Sequence, residues 1–156
     1  MPVAESEVRR RIGVFVDTLR RRGLRATHQR MEIFRELAAT DEHPDAETLY
    51  HRVSRRVPAV SRDTVYRTLA TLEEQGLITR TAVLGGPARY DANTGQHHHF
   101  VCTRCGAVKD FRSAALDDLP LPRSVRALGR VGSAHVQVRG VCAECISRKA
   151  GRQQEA

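Results

Sequence analysis

Apolar residues in the first eighty positions fall three and four apart, the period of helices with one buried face. In "RRRIGVFVDTLRRRG", Ile12, Phe15, Val16 and Leu19 form one stripe, and Gly23 is placed to end the helix. Thr27 can cap "HQRMEIFRELAA", which turns Met31, Phe34 and Leu37 or Ala38 inward. A third helix fits "DAETLYHRVSRRV", between His43-Pro44 and Pro58. In the fourth, "SRDTVYRTLATLEEQG", Ser61 can cap, Val65, Leu69 and Leu72 line one face, and Gly76 closes the end. Short helices with tight connections predict a helix-turn-helix type of domain.

Beyond Gly76 the period changes. "LITRTAV" and "ARYD" are strand-like runs joined by "LGGP", which reads as a hairpin, and helices followed by a hairpin make a winged helix. Further on, "HHHFVC", "AVKDF" and "HVQVRGVC" alternate as strands do. The chain is therefore predicted to be α+β, with a winged helix ahead of a small mixed lobe. The outer face of the fourth helix carries Arg62, Tyr66, Arg67 and Thr71. These can reach phosphates and base edges in a major groove, or form an ordinary solvated face. The wing behind them favours DNA, with Arg80 and Arg89 near the backbone.

Charge changes this picture only slightly. The net charge of +8 and pI near 10.2 suit a polyanionic partner, but residues 1–90 and 91–156 carry +4 each, so a DNA claim rests on where the arginines sit. Aromatics make up 4% and Trp is absent, which leaves the core to Val, Leu, Ile and Ala. A small second lobe built from these needs a staple. No run approaches the ~18 apolar residues of a membrane span, and "MPVAESEVRRR" lacks an apolar signal region. A soluble, cytoplasmic protein without a membrane partner is expected.

In a reducing compartment two cysteine pairs read as metal ligands. Cys102-x-x-Cys105, followed by Gly106, and Cys142-x-x-Cys145 offer the four thiolates of a closed structural Zn(II) site. Their separation requires both pairs to sit on neighbouring strands, and the βαβ context of a thioredoxin-like pair is missing. In "GQHHHFVCTRCG", a mid-chain position excludes an expression tag. Strand alternation puts His97 and His99 on one face and His98 on the other. With Asp91 and Asp110 they make a mixed N/O set suited to Fe(II) or Mn(II); the alternative is a solvated histidine cluster.

The order of "GLRATHQR", "HPDAETLY", "SRDTVYRTL", "GLITR", "ARYD", "HHHFVCTRCG", "VKDF" and "GVCAEC" resembles the ferric uptake regulator family, from about residue 10 to residue 146. The family consists of bacterial, metal-dependent, dimeric repressors. The resemblance implies a winged-helix DNA-binding domain at 1–91, a hinge at 92–96, a small zinc-stapled α/β dimerisation domain at 97–146 and a flexible tail at 147–156. It implies a structural zinc on Cys102, Cys105, Cys142 and Cys145, and a regulatory Fe(II) or Mn(II) on His43, Asp91, His97, His99 and Asp110. Asp at both 91 and 110 resembles the peroxide-responsive subgroup, in which Fe(II)-catalysed oxidation of His43 or His97 would end repression. The alternative is an iron-responsive repressor. Tyr66 and Arg67 would contact DNA and Arg25 would enter the minor groove, with Arg62 added from its place on the helix. The partners implied are a second copy of the chain and an A/T-rich inverted repeat in duplex DNA, and the protein is not expected to be an enzyme.

Three features depart from the family pattern. The segment 112–134, expected to hold the dimerisation helix, is short and contains Pro120 and Pro122. Gln96 and Ala134 stand where many iron sensors place histidines, so an additional metal site is expected to be absent. His98 and His135 are left as outward residues without a role. A two-His-carboxylate oxygenase would need a substrate pocket that so small a lobe cannot enclose. A zinc-ribbon interaction module would leave "SRDTVYRTL" and His43 unexplained.

Overall fold

The computed structural model describes residues 3–83 and 85–154, with 149–154 in backbone only. The expectation of mobile ends therefore falls partly outside the described residues, at 1–2 and 155–156. The chain divides into two units, Met1–Thr94 and Gly95–Ala156.

The first unit holds α1 (Glu5–Arg21), α2 (His28–Ala38), α3 (Ala46–Ser54), α4 (Arg62–Glu74), β1 (Thr79–Thr81) and β2 (Arg89–Asp91). Side-chain caps start three of the helices. Thr27 accepts the Arg30 N–H, Asp45 that of Thr48 and Ser61 that of Thr64, each satisfying an amide the helix leaves open. Helix α4 stops in a Schellman turn: the Gly76 N–H donates to Glu73 O and the Leu77 N–H to Leu72 O, both at 2.9 Å. Gly76 adopts a φ of 68°, which a side chain would resist. That turn drives Leu77 and Ile78 into the helical core, which also contains Phe15, Leu19, Phe34, Leu49 and Leu69. The run "LITRTAV" thus yields a strand only over Thr79–Thr81, because its first apolar residues are spent on the core. Phe15 and Phe34 stack at 4.6 Å and lock α1 to α2. Strands β1 and β2 pair antiparallel, Arg80 opposite Tyr90, and form the wing.

The second unit holds β3 (His98–Cys102), β4 (Val108–Phe111), α5 (Ala114–Asp117), α6 (Arg123–Leu128), β5 (Gln137–Gly140) and α7 (Ala143–Gln154). Its sheet runs β4-β3-β5, with β3 antiparallel to β4 and parallel to β5. The buried cluster here is Cys102, Cys142 and Cys145, with Phe100 and Ala107 packed against it. Two expectations are corrected. The second cysteine pair is not on a strand: Cys142 lies just past β5 and Cys145 in the first turn of α7. A Cys-x-x-Cys spacing there turns both sulfurs to one side, with the Ile146 N–H already bonded to Cys142 O at 3.0 Å. The segment from 147, expected as a flexible tail, continues α7 to Gln154, since "SRKAGRQQ" is mostly helix-forming residues. In the 112–134 segment, Pro120 and Pro122 separate α5 from α6, and Pro122 sits at the N-cap of α6.

Candidate metal centres and DNA-facing surface

The four-cysteine cluster is built by the parallel pairing of β3 with β5. Cys102 ends β3 opposite Gly140, and a tight knuckle carries the chain to Cys105, closed by the Gly106 N–H on Cys102 O at 2.9 Å. Gly106 has a φ of 71°, a conformation that favours glycine. Across the cluster the Cys142 N–H donates to Cys102 Sγ at 3.3 Å, and Arg104 donates to Cys145 O at 2.9 Å. The four sulfurs lie within 4.8 Å of one another. The Cys105–Cys142 separation of 3.8 Å is far beyond a disulfide bond. It matches the edge of about 3.8 Å in a tetrahedron with Zn–S bonds of ~2.3 Å.

The electrostatics agree with a cation at the centre. Backbone N–H groups of Cys105 and Cys142 pull the Cys102 thiol down to about 6. Burial, then contact with the other three sulfurs, pushes Cys145 up to about 12. One thiolate can thus form unaided, but four cannot without a positive ion.

In the first unit, a hydrogen bond from the Tyr90 N–H to Pro44 O at 3.1 Å lays β2 beside the loop ahead of α3. This brings His43 Nε2 to 3.3 Å from Asp91 Oδ2, with both residues buried. His43 Nδ1 lies 3.0 Å from Asp41 O. A carbonyl oxygen can only accept, so Nδ1 carries a proton, and in the neutral ring Nε2 faces the carboxylate with its lone pair. His43 also has a φ of 51°, a strained conformation for a non-glycine residue.

In the second unit, strand alternation places His97 and His99 together as expected. Their Nε2 atoms are 3.0 Å apart and their rings meet edge to face. Asp110 pairs with His99 across β3–β4, and its Oδ1 lies 3.6 Å from His97 Nε2 and 3.5 Å from His99 Nε2. His97 Nδ1 donates to Gly95 O at 2.6 Å, fixing the same tautomer as in His43. Metal-ligating histidines commonly donate their second ring N–H to a carbonyl in this way. Imidazole lone pairs turned to a carboxylate repel unless a proton or cation lies between, so both half-sets fit a divalent ion.

His98 is a correction. It is not outward but fully buried, because β3 is the middle strand and both its faces are covered. Its Nδ1 accepts the Val136 N–H at 3.2 Å and its Nε2 lies 3.2 Å from Asp117 Oδ1 on α5. His135 is exposed, with its ring 6.2 Å from that of His99. Gln96 and Ala134 are joined directly, the Gln96 amide donating to Ala134 O at 2.8 Å.

On the expected DNA face, Tyr66 is 52% exposed and Arg67 is exposed beside Asp63 one turn earlier, at 3.0 Å. Arg25 is exposed in the α1–α2 loop. Arg62 is turned to α3 instead, where it contacts Glu47 at 2.6–3.1 Å and lies over the Tyr50 ring at 4.3 Å. Arg89, expected to be available on the wing, is half-buried and faces Asp45 at 3.8 Å. Arg80 is exposed.

Residues 21–127 match the ferric uptake regulator family. The chain belongs to that family. Its members are metal-responsive, DNA-binding transcriptional regulators, and this chain is one of them. It is 32% identical over 131 residues to the peroxide-responsive repressor of Staphylococcus epidermidis, covering 83% of this chain and 87% of that protein. Among solved structures, a zinc-bound manganese uptake regulator is 34% identical with a TM-score of 0.63, over 81% of this chain and 96% of that one. A zinc uptake regulator in complex with zinc and DNA is 26% identical with a TM-score of 0.64, over 92% of this chain and 97% of that one. Among the described residues no helix is long and apolar enough to cross a membrane.

Proposed function

We propose that the chain is a metal-dependent repressor that responds to peroxide through Fe(II)-catalysed oxidation of a ligand histidine. The observation that carries this reading is the donor set. Imidazole Nε2 atoms of His43, His97 and His99 face Asp91 or Asp110 carboxylates at 3.3–3.6 Å. His43, Asp91, His97, His99 and Asp110 are proposed as the residues that would hold one regulatory ion, Fe(II) or Mn(II). When bound, Fe(II) would supply electrons to cleave the O–O bond of peroxide, one oxygen entering the imidazole of His43 or His97 and the other leaving as water.

The chain contributes the posture of those ligands. The Asp41 and Gly95 carbonyls hold the Nδ1 protons of His43 and His97, so each ring presents Nε2. A ring of His43 or His97 that had gained oxygen would be a poorer donor and would hold the ion less tightly. The four cysteines are proposed to hold Zn(II) in a closed site with no position left for a reactant, which keeps them structural.

The ligands come from both proposed domains, DNA-binding at 1–91 and dimerisation at 97–146, joined by a hinge at 92–96. Occupancy therefore favours the DNA-competent dimer. A coupling of ~1–3 kcal/mol would change affinity ~5- to 150-fold. In this reading Tyr66, Arg67 and Arg25 contact an A/T-rich inverted repeat, and Arg62 does so on leaving Glu47. A reducing cytoplasm is the matching compartment. The second reading, an iron-responsive uptake repressor without peroxide sensing, uses the same ligands; the 34% identity to a manganese uptake regulator supports a role in metal uptake, not the choice of iron.

The deciding experiment loads the zinc-bound dimer with Fe(II) or Mn(II). DNA binding is measured before and after dilute peroxide, followed by peptide mass spectrometry. Release of DNA by the Fe(II) form alone, with oxygen added to His43 or His97, is the expected result. Retained DNA and unmodified histidines in both forms would sink the peroxide reading and leave the metal-availability one.

A further inference from the structure

His98 takes no part in the regulatory reading, yet it is fully buried. Strand alternation turns it away from His97 and His99, to the sheet face it shares with Phe100 and Cys102. Its Nδ1 accepts the Val136 N–H at 3.2 Å, so in the neutral ring the proton is on Nε2, 3.2 Å from Asp117 Oδ1. This is the opposite tautomer to that of His43 and His97, whose Nδ1 atoms donate to carbonyls. A buried N–H left without an acceptor is costly, and the carboxylate at the end of α5 offsets that cost. With one ring nitrogen engaged by a backbone amide and the other protonated, His98 has no lone pair left for a cation.

The contact falls where the sheet is weakest. His98 pairs with Phe111 and His99 with Asp110, so Asp110 stands next to the end of the β3–β4 ladder. Element ends open most readily. Past Phe111 the chain turns into α5, and Asp117, the last residue of that helix, returns to His98. The contact thereby closes a loop from β3 through β4 and α5 back to β3, with Asp110 inside it. On the other edge of β3, the Gln96 amide donates to Ala134 O at 2.8 Å and the His99 N–H to Val136 O at 3.1 Å, which seats the segment that supplies the Val136 amide. On the regulatory-ion reading given above, we propose that His98 and Asp117 form a metal-free latch that positions Asp110 for that ion. They are positioning residues, set on the face of the sheet opposite the ligands, and they hold no second ion.

The test uses the full-length protein with zinc bound. Free Mn(II) is followed by electron paramagnetic resonance during a titration, and ring tautomers are read from long-range nitrogen–proton NMR spectra of the manganese-free protein. His98 should carry its proton on Nε2, and His97 on Nδ1. The wild type should bind a single Mn(II) per protomer beyond its zinc. Asp117→Ala should weaken that binding about 10-fold, the low end for groups that orient metal ligands, with zinc content unchanged. Asp117→Asn keeps an acceptor for the Nε2 proton and should restore most of the affinity. Glu144→Ala frees β4 from α7 by removing the partner of Lys109 and should leave Mn(II) affinity unchanged. Mn(II) affinity of Asp117→Ala equal to that of wild type, or lowered no more than in Glu144→Ala, would overturn the latch while leaving the regulatory ion in place. A second Mn(II) per protomer that Asp117→Ala removes would do the same, by making the pair a metal site. No Mn(II) bound by the zinc-loaded wild type would sink the regulatory reading itself. Should Asp117→Ala shed its zinc, the wild-type spectra still decide, since a proton on His98 Nδ1 is incompatible with the Val136 bond on which the latch depends.

Discussion

The two units solve the problem of staying folded by different means. In the first, apolar side chains from Phe15 to Ala92 close on one another, and side-chain caps at Thr27, Asp45 and Ser61 satisfy the helix starts. In the second, the buried cluster is three cysteines with Phe100 and Ala107 beside them, while Leu128, Val138 and Ile146 are exposed. The first can be held by burial alone. The second gathers sulfurs where a small lobe would otherwise need leucines, so its folding free energy is tied to an ion.

Removing that ion should break the comparison open most widely. Structural zinc contributes on the order of 10–16 kcal/mol of apparent binding free energy in small domains. Chelation, or Cys142→Ser, is therefore expected to abolish amide protection across β3, β4 and β5 while α1–α4 stay protected. Hydrogen exchange followed by mass spectrometry reads both units in one experiment. Unchanged protection in β3 and β5, with metal loss verified, would mean that the second unit folds without a staple.

The reverse perturbation is next in size. Phe34 is almost fully buried and stacks on Phe15, so Phe34→Ala should cost ~3–5 kcal/mol. The cost should fall on the first unit alone: a lower denaturation midpoint for the helices with unchanged zinc content. Loss of zinc in this variant would show that the units do not fold independently. A cap is worth less. Ser61→Ala removes the acceptor for the Thr64 N–H and should cost ~1 kcal/mol, read as a small drop in the same midpoint.

The comparison also explains what could be read in advance. Helix boundaries in the first unit follow from local chemistry, such as a capping side chain at Ser61 and a glycine at Gly76, each within two residues of the end of α4 it sets. The pairing of His97 with His99 is likewise local, since it needs only the two-residue period of a strand. The burial of His98 was not legible, because it depends on β5 pairing with β3 from almost forty positions away. The ion pairs of Arg62 and Arg89 are hidden from the sequence for a similar reason. Their acids, Glu47 and Asp45, belong to another helix start, and charge counting cannot say which arginine meets which carboxylate. The helical course of 147–154 was hidden by polar composition, which suits a mobile tail as well as an exposed helix.

The smallest expected effect lies on the surface of the first unit and depends on pH. Hydrogen bonds from Arg10, then Arg11, hold the Glu7 carboxyl at about 2, well below its ordinary value. A carboxyl whose pKa is depressed by folding stabilises the folded state above the unfolded value near 4.5, and that contribution is lost as pH falls toward 2. Glu7 is about one-third exposed, so water screens the pairs and the stabilisation should be only ~0.5 kcal/mol. Glu7→Gln should lower the urea midpoint of the first unit slightly at neutral pH and leave it equal to wild type near pH 2. The second unit offers a control, since Lys109–Glu144 is more exposed still and bridges β4 to α7. If Glu7→Gln shifts the midpoint equally at both pH values, its effect comes from packing on α1 rather than from charge.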